Sequence, residues 1–182
     1  MKKKLINIIV ALDKFGGYSK NGEIPWINEP FAKDDLKRFQ KLTMDNIVIM
    51  GRHTYEDIAK ISKKTNILPN RTCFILSRSG FKLPKDHEDR LMVKPDLRAC
   101  FNIINFDDKL FKKKVFVIGG GKVFTEALAY YIDTIYVTLV EKDWKCDNFF
   151  PISIFKKYKI KNGKELCDGV KFLEYSKKIQ LK

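Results

Sequence analysis

The sequence predicts an α/β domain: a largely parallel sheet with helices between its strands, closed at the C-terminal end by an antiparallel hairpin. Three observations predict it. "LINIIVAL" (5–12), "NIVIM" (46–50), "TCFILS" (72–77), "VFVIGG" (115–120) and "TIYVTLV" (134–140) are apolar at consecutive positions, as expected of strands covered on both faces. Helical patterns fall between them, at 33–43, 52–59, 96–105 and 121–130. The end of the chain changes period: "FKKYKIKN" and "GVKFLEYSKK" alternate apolar and polar residues around a turn-rich "NGKELCDG".

The chain has 182 residues, 45% of them hydrophobic, which fits one domain spanning 1–182 with a substantial core. The N-terminal "MKKKLINIIVAL" places lysines before an apolar run, as signal peptides do. That run is short, contains Asn7 and meets Asp13 without a small-residue cleavage site, so a buried strand is the better reading. No segment approaches the roughly 20 apolar residues of a membrane span. A cytoplasmic protein with no membrane association is expected. Cys73, Cys100, Cys146 and Cys167 are scattered, and His53 and His87 form no ligand pattern with them, so no metal site, disulfide framework or thiol redox motif is indicated. The net charge of +14 raises the question of nucleic acid, but the lysines are dispersed and no recognition motif accompanies them. Nucleic acid is not an expected partner; an anionic small ligand would gain from the same field.

Ligands of such sheets bind beyond the carboxyl ends of the strands. "VFVIGGGKVF" runs from strand through three glycines into a helix, a place where backbone can approach a ligand and helix N–H groups attract phosphate. It is not GxGxxG, and a glycine triplet is equally a tight turn. After the second strand comes "MGRHT", with Gly51, Arg52, His53 and Thr54; after the third, Ser77 and Arg78. Two arginines at neighbouring strand ends suit a dianion, and solvated surface arginines are the alternative.

The helix "DDLKRFQKLT" (34–43) opens on two acids. At about 100° per residue from Asp35, Phe39 falls near 40°, Thr43 near 80°, Leu36 near 100° and Leu42 near 340°. Asp35 therefore lies on the apolar face. Asp34, Lys37, Arg38 and Lys41 are assigned to the other side, where Asp34 can pair with Lys37 and Arg38. An inward carboxylate needs a partner or a cationic ligand; an acid bonded to N–H groups of the helix start is the plainer alternative.

The ordered set "IVAL", "KNGEIPW", "DLKRFQKLT", "VIMGRHTYEDI", "LPNR", "FILSR", "VIGGGKVF", "IYVT" and "DNFFP" resembles the dihydrofolate reductases, over Ile6 to about Ile179. The resemblance implies a central sheet of eight strands, mostly parallel with one antiparallel C-terminal strand, flanked by four helices. The implied reaction is NADPH-dependent reduction of 7,8-dihydrofolate, including polyglutamylated forms, to tetrahydrofolate, with antifolates as further ligands and a monomer expected. Asp35 resembles the family's single buried acid, which holds the pterin and supports its protonation. Thr138 is similar to the threonine that bonds this carboxylate, and Trp26 to the tryptophan that orients a water. Ile9 and Ile118 would offer carbonyls to the pterin edge, while Val10, Ile24, Leu36, Phe39, Ile58 and Leu68 would line its apolar walls. Arg71, in "LPNR", resembles the arginine that pairs with the substrate's α-carboxylate. On the cofactor side, Ala11 and Tyr18 would flank the nicotinamide. Gly119, Gly120, Gly121, Lys122, Val123 and Phe124 would embrace the pyrophosphate, and Gly51, Arg52, His53, Thr54, Leu76, Ser77, Arg78 and Lys94 resemble the set around the adenosine phosphates. A mobile loop, Asp13 to Ile24 with its Asn21-Gly22 turn, would cover the site.

The chain departs from the family pattern in three places. Ser19 replaces the second glycine of the loop. "INEPFAKD" lengthens the stretch after Trp26, which leaves Glu29 as a rival to Asp35, and "AKISKKTNI" (59–67) is a longer, more basic bridge before "LPNR". Two other readings stand beside this one: a pyrimidine reductase of riboflavin synthesis, which shares the fold but not the Asp35, Phe39 and Arg71 set, and a basic RNA-holding module.

Overall fold

The computed structural model describes residues 4–63, 67–83 and 89–178. Lys2 and Lys3 of the lysine run, Lys64 to Asn66 of the basic bridge, His87 and Ile179 lie outside the described residues. The elements in chain order are β1 (Ile6–Asp13), β2 (Gly17–Ser19), α1 (Ala32–Thr43), β3 (Ile47–Gly51), α2 (Arg52–Ser62), β4 (Thr72–Leu76), β5 (Leu91–Lys94), α3 (Leu97–Phe106), α4 (Asp108–Lys112), β6 (Val115–Val117), α5 (Gly121–Ala127), β7 (Ile132–Val140), β8 (Asn148–Phe149), a 3-10 turn (Ile152–Lys157), β9 (Tyr158–Cys167) and β10 (Val170–Lys177). Eight strands form one mostly parallel sheet in the order β5-β4-β3-β6-β1-β7-β10-β9, and β2 pairs separately with β8.

The described residues fall into two compact units, one within 1–6 and 43–131 and the other within 7–42 and 132–182. In the first, β3 pairs in parallel with β4 and β6, and β4 with β5. Every residue of β4 and β6, and all of β3 but Gly51, is buried, which is why these strands read as unbroken apolar runs. Val48, Met50, Tyr55, Ile67, Cys73, Ile75 and Leu91 form a core on which Ile58, Leu68 and Ile118 pack.

In the second unit β10 runs antiparallel to both β7 and β9, so it is the antiparallel C-terminal strand the sequence implied. Trp26, Val140 and Val170 form a core with Ala11, Phe31 and Trp144 against it. The segment after β1 is tied down by Asp13, whose buried carboxylate accepts the N–H of Phe15 (2.9 Å), Gly17 (2.8 Å) and Trp144 (3.4 Å). The Asn21-Gly22 turn forms as expected, with Lys20 and Glu23 exchanging both backbone hydrogen bonds at 2.9 Å and both central residues at positive φ.

The structure corrects several expectations. β9 continues through "NGKEL" to Cys167, and the turn is confined to Asp168-Gly169. Its residues from Lys159 to Glu165 are all exposed on the sheet edge, so burial left no signature in the sequence, and the composition of a solvated edge resembles a turn. The described residues hold five α-helices rather than four. The five-residue α4 exists because Asp107 caps it, accepting the N–H of Lys109 and Leu110. β2, β5 and β8, two to four residues each, carry too little pattern to be foreseen.

Gly17 lies where β2 meets the 143–150 segment, and a Cβ built there falls 2.3 Å from Cys146 Cβ. Gly17→Ala should therefore destabilise the protein by about 1–3 kcal/mol, the usual cost of overpacking. Urea unfolding measures this, and an alanine variant as stable as the parent would contradict the close packing of β2.

Candidate active site

α1 carries both acids, and the structure separates them. Asp34 pairs with Lys37 at 2.9 Å on the exposed side. Asp35 is half-buried, and the hydroxyl of the buried Thr138 on β7 donates to its Oδ1 at 2.5 Å. Its carboxyl is pushed above the ordinary range by burial, against the opposing pull of the Thr138 hydrogen bond and the Arg38 charge.

Arg38 is not where the sequence assigned it. Instead of pairing outward with Asp34 it turns inward, and its Nη1 donates to Val137 O (3.4 Å) and Thr138 Oγ1 (3.4 Å) and its Nη2 to Leu173 O (3.3 Å). The guanidinium lies 4.6 Å from the Phe172 ring centroid and 5.8 Å from that of Tyr136. A signal for this was present: at about 300° on the wheel Arg38 is only about 60° from Asp35.

The other expected residues of this unit lie on β1, β2, α1 and the segment between β2 and α1. Ile9, Val10 and Ala11 lie on β1, Val10 buried and its neighbours half-buried, and Tyr18 lies half-buried on β2. Trp26 is buried, its ring edge-on to Trp144 with centroids 5.9 Å apart. Phe39 is half-buried one turn after Asp35. Ile24 and Leu36 stay 45% and 50% exposed, apolar surface of the kind a flat ligand would cover.

In the first unit the parallel register draws the ends of the strands into one row. Gly51 is opposite Leu76, Leu76 is opposite Lys94, and Gly51 N–H donates to Gly119 O at 2.7 Å. Ser77 and Arg78 follow β4 directly, Arg78 exposed. Two helices start from this row, α2 after Gly51 and α5 after Gly120, and neither glycine offers a side-chain cap. Gly119 has φ +114 and Phe124 ring carbons 3.1–3.2 Å from where its Cβ would be, so only glycine fits the turn. At Gly120 a Cβ would meet Thr54 Oγ1 at 3.6 Å. Lys122 is exposed, Val123 and Phe124 are buried beneath the turn, and His53 and Arg52 are exposed at the start of α2. Arg52 pairs with Glu56 at 2.7 Å. Uncapped helix starts beside exposed cations form a donor set that fits a phosphate-bearing group.

Arg71 is buried in the same unit, with Nε donating to Thr43 Oγ1 at 3.0 Å and Nη1 to Pro69 O at 2.6 Å, so its fork is held in a fixed direction. Leu68 and Asn70, on either side of Pro69, adopt positive φ and shape the bend that carries it. Among the described residues no cluster of three or more His, Cys, Asp or Glu side chains is placed to hold a metal, and no helix is long and apolar enough to cross a membrane.

Comparison with known proteins identifies the family. A family model for dihydrofolate reductase matches residues 5–176. The chain belongs to the dihydrofolate reductase family. It is 32% identical to dihydrofolate reductase type 9 of Escherichia coli over 156 residues, which cover 85% of this chain and 81% of that protein. Dihydrofolate reductase type 8 of Escherichia coli is 31% identical over 180 residues, 95% of this chain and 96% of its own length. The dihydrofolate reductase of Sus scrofa is 31% identical over 183 aligned residues, 91% of this chain and 87% of its own. A dihydrofolate reductase family fold implies an oxidoreductase working with a nicotinamide cofactor.

The raised Asp35 carboxyl makes a stability prediction. An acid whose folded-state value is raised holds its proton more tightly in the folded chain. The stability tied to it is present at low pH and is lost as pH climbs through the raised value. Asp35→Asn should therefore raise Tm at neutral pH, on a scale of about 2–4 °C per kcal/mol, and the gain should disappear below about pH 4. Thermal melts at the two pH values test this; no gain at neutral pH would contradict it.

Proposed function

We propose that this protein catalyses NADPH-dependent reduction of 7,8-dihydrofolate to 5,6,7,8-tetrahydrofolate. One observation carries the reading beyond family membership: the half-buried Asp35 carboxylate, bonded by Thr138 and shifted toward its protonated form. Such a group can hold a pterin's amino group and ring nitrogen with its two oxygens and favour a proton on the ring. The Thr138 hydrogen bond also supports Asp35 over Glu29 as the acid.

The nicotinamide, when bound, supplies the hydride; the protein's residues supply proximity, orientation and electrostatics. Val10, Ile24, Leu36, Phe39, Ile58 and Leu68 form the apolar walls, Ile9 and Ile118 offer carbonyls to the pterin, and Ala11 and Tyr18 flank the nicotinamide. Trp26 orients a water near the acid. Arg71 takes the substrate's α-carboxylate, for which a guanidinium fixed by Thr43 and Pro69 is preorganised. Gly119 to Phe124 receive the pyrophosphate. Gly51, Arg52, His53, Thr54, Leu76, Ser77, Arg78 and Lys94 receive the adenosine phosphates, and the cations among them favour NADPH over NADH. The segment Asp13 to Ile24 limits access of bulk water during turnover. The single family match across both compact units supports one functional domain. The chain acts as a monomer in the cytoplasm and binds antifolates where it binds dihydrofolate.

Two measurements test this. NADPH absorbance should fall in the presence of dihydrofolate, and Asp35→Asn should slow that reaction by roughly 10²- to 10⁴-fold at neutral pH, the scale of a lost acid–base group. A well-folded wild type that leaves NADPH untouched would sink the reading. Separately, Arg71→Leu should weaken dihydrofolate binding by roughly 10- to 100-fold, as expected for loss of a charge-assisted pair, and leave NADPH binding nearly unchanged. Equal losses for the two ligands would remove Arg71 from the folate side.

A further inference from the structure

Arg38 lies next to the acid and directs its guanidinium donors inward. Val137 and Leu173, whose carbonyls it binds, face each other across the β7–β10 ladder, and Thr138 is the next residue of β7. The guanidinium is therefore fixed in place by two carbonyls and by the ring of Phe172. A third contact goes to Thr138 Oγ1.

That contact has a directional consequence. A threonine hydroxyl has one proton to give and two lone pairs to receive. Arg38 can only donate, so it occupies a lone pair of Oγ1 and leaves the proton free to point at Asp35 Oδ1, which it does. The same guanidinium is the cation close to Asp35 in this unit. The other titratable groups that face it are Tyr136 from β7 and Glu174 from β10, and Glu174 Oε2 accepts from Asn162 Nδ2 at 2.8 Å. Burial pushes both groups toward their neutral forms, Asp35 upward and Arg38 downward, and the charge of each opposes that shift in the other.

We propose that Arg38 is a positioning residue for the acid: it orients the Thr138 hydroxyl toward Asp35 and supplies a charge that favours the ionised form of this half-buried carboxylate. This rests on the reading of Asp35 as the pterin-holding acid, but the arrangement exists in the ligand-free protein and can be measured there. Its functional consequence is on the pH at which the acid exchanges its proton, with little bearing on how tightly substrate is held.

The test follows the Asp35 carboxyl by carbon NMR across pH in ligand-free wild type and in Arg38→Met, with Asp35→Asn identifying the signal. The midpoint in Arg38→Met should rise by about one unit, about tenfold tighter proton binding, which is at the lower end of what a close opposite charge produces. Arg38→Lys, which retains a charge, should stay nearer to wild type. Equal midpoints in wild type and Arg38→Met would overturn the proposal, as would a lysine variant displaced as far as the methionine one. In a Thr138→Val background the effect of Arg38→Met should shrink; an undiminished effect would overturn the hydroxyl relay. Should Arg38→Met not fold, Arg38→Gln, a neutral donor of similar reach, carries the same comparison. With NADPH and dihydrofolate, the pH–rate profile should move by the same amount, with KM for dihydrofolate changed less than twofold. Absence of turnover in wild type would count against the enzymatic reading alone, because the carboxyl titration does not depend on it.

Discussion

A carboxylate taken out of water must be compensated, and the way Asp35 is compensated organises one half of this protein. One hydroxyl donates to it, one cation stands beside it, and burial dominates the balance, so the group is left closer to its protonated form than an exposed acid would be. Full compensation by several N–H donors would hold the charge firmly and leave the group inert. Partial compensation makes the same group useful to a ligand that brings its own donors. The elements follow from this need: α1 carries the acid, β7 the hydroxyl, and β10 one of the carbonyls that hold the cation.

The other unit handles charge by the opposite device. At the ends of its parallel strands lie backbone donors and exposed cations, which solvent compensates. The glycines at 51, 119 and 120 serve that arrangement through what they lack. A side chain at 119 would meet the Phe124 ring, and no side chain caps either helix start. Arg71 is the exception, a buried cation whose guanidinium is fixed by a hydroxyl and a carbonyl. Preorganisation of that kind reduces the entropy lost when a carboxylate binds.

Much of this was legible in the sequence, and what escaped was lost for definable reasons. Strands covered on both faces left unbroken apolar runs, so β1, β3, β4, β6 and β7 could be placed directly. β9, exposed along nearly its whole length, kept an alternating pattern only as far as Asn162, and its continuation resembles a turn. On α1 the wheel separated Asp34 from Asp35 but misplaced Arg38, because a charged residue at the margin of an apolar face was counted as solvated. A long guanidinium can cross that margin when carbonyls and aromatic rings wait on the other side. The family's ordered motifs, rather than periodicity, pointed to Arg71 and Thr138.

The contrast between the two inward carboxylates of the second unit sharpens the choice of acid. Asp13 accepts N–H groups from Phe15, Gly17 and Trp144, so backbone donors from both of its neighbouring segments satisfy it. A carboxylate bound in this way is a structural tie, since any ligand competing for it would have to break the turn that follows β1 and the packing of Gly17 on Cys146. Asp35 has a hydroxyl and a nearby cation in place of backbone donors, and Leu36, half exposed, follows it along α1. Burial alone thus does not distinguish a structural acid from a reactive one. The kind of donor does: backbone N–H groups commit a carboxylate to the fold, whereas a single hydroxyl leaves acceptor capacity for a ligand.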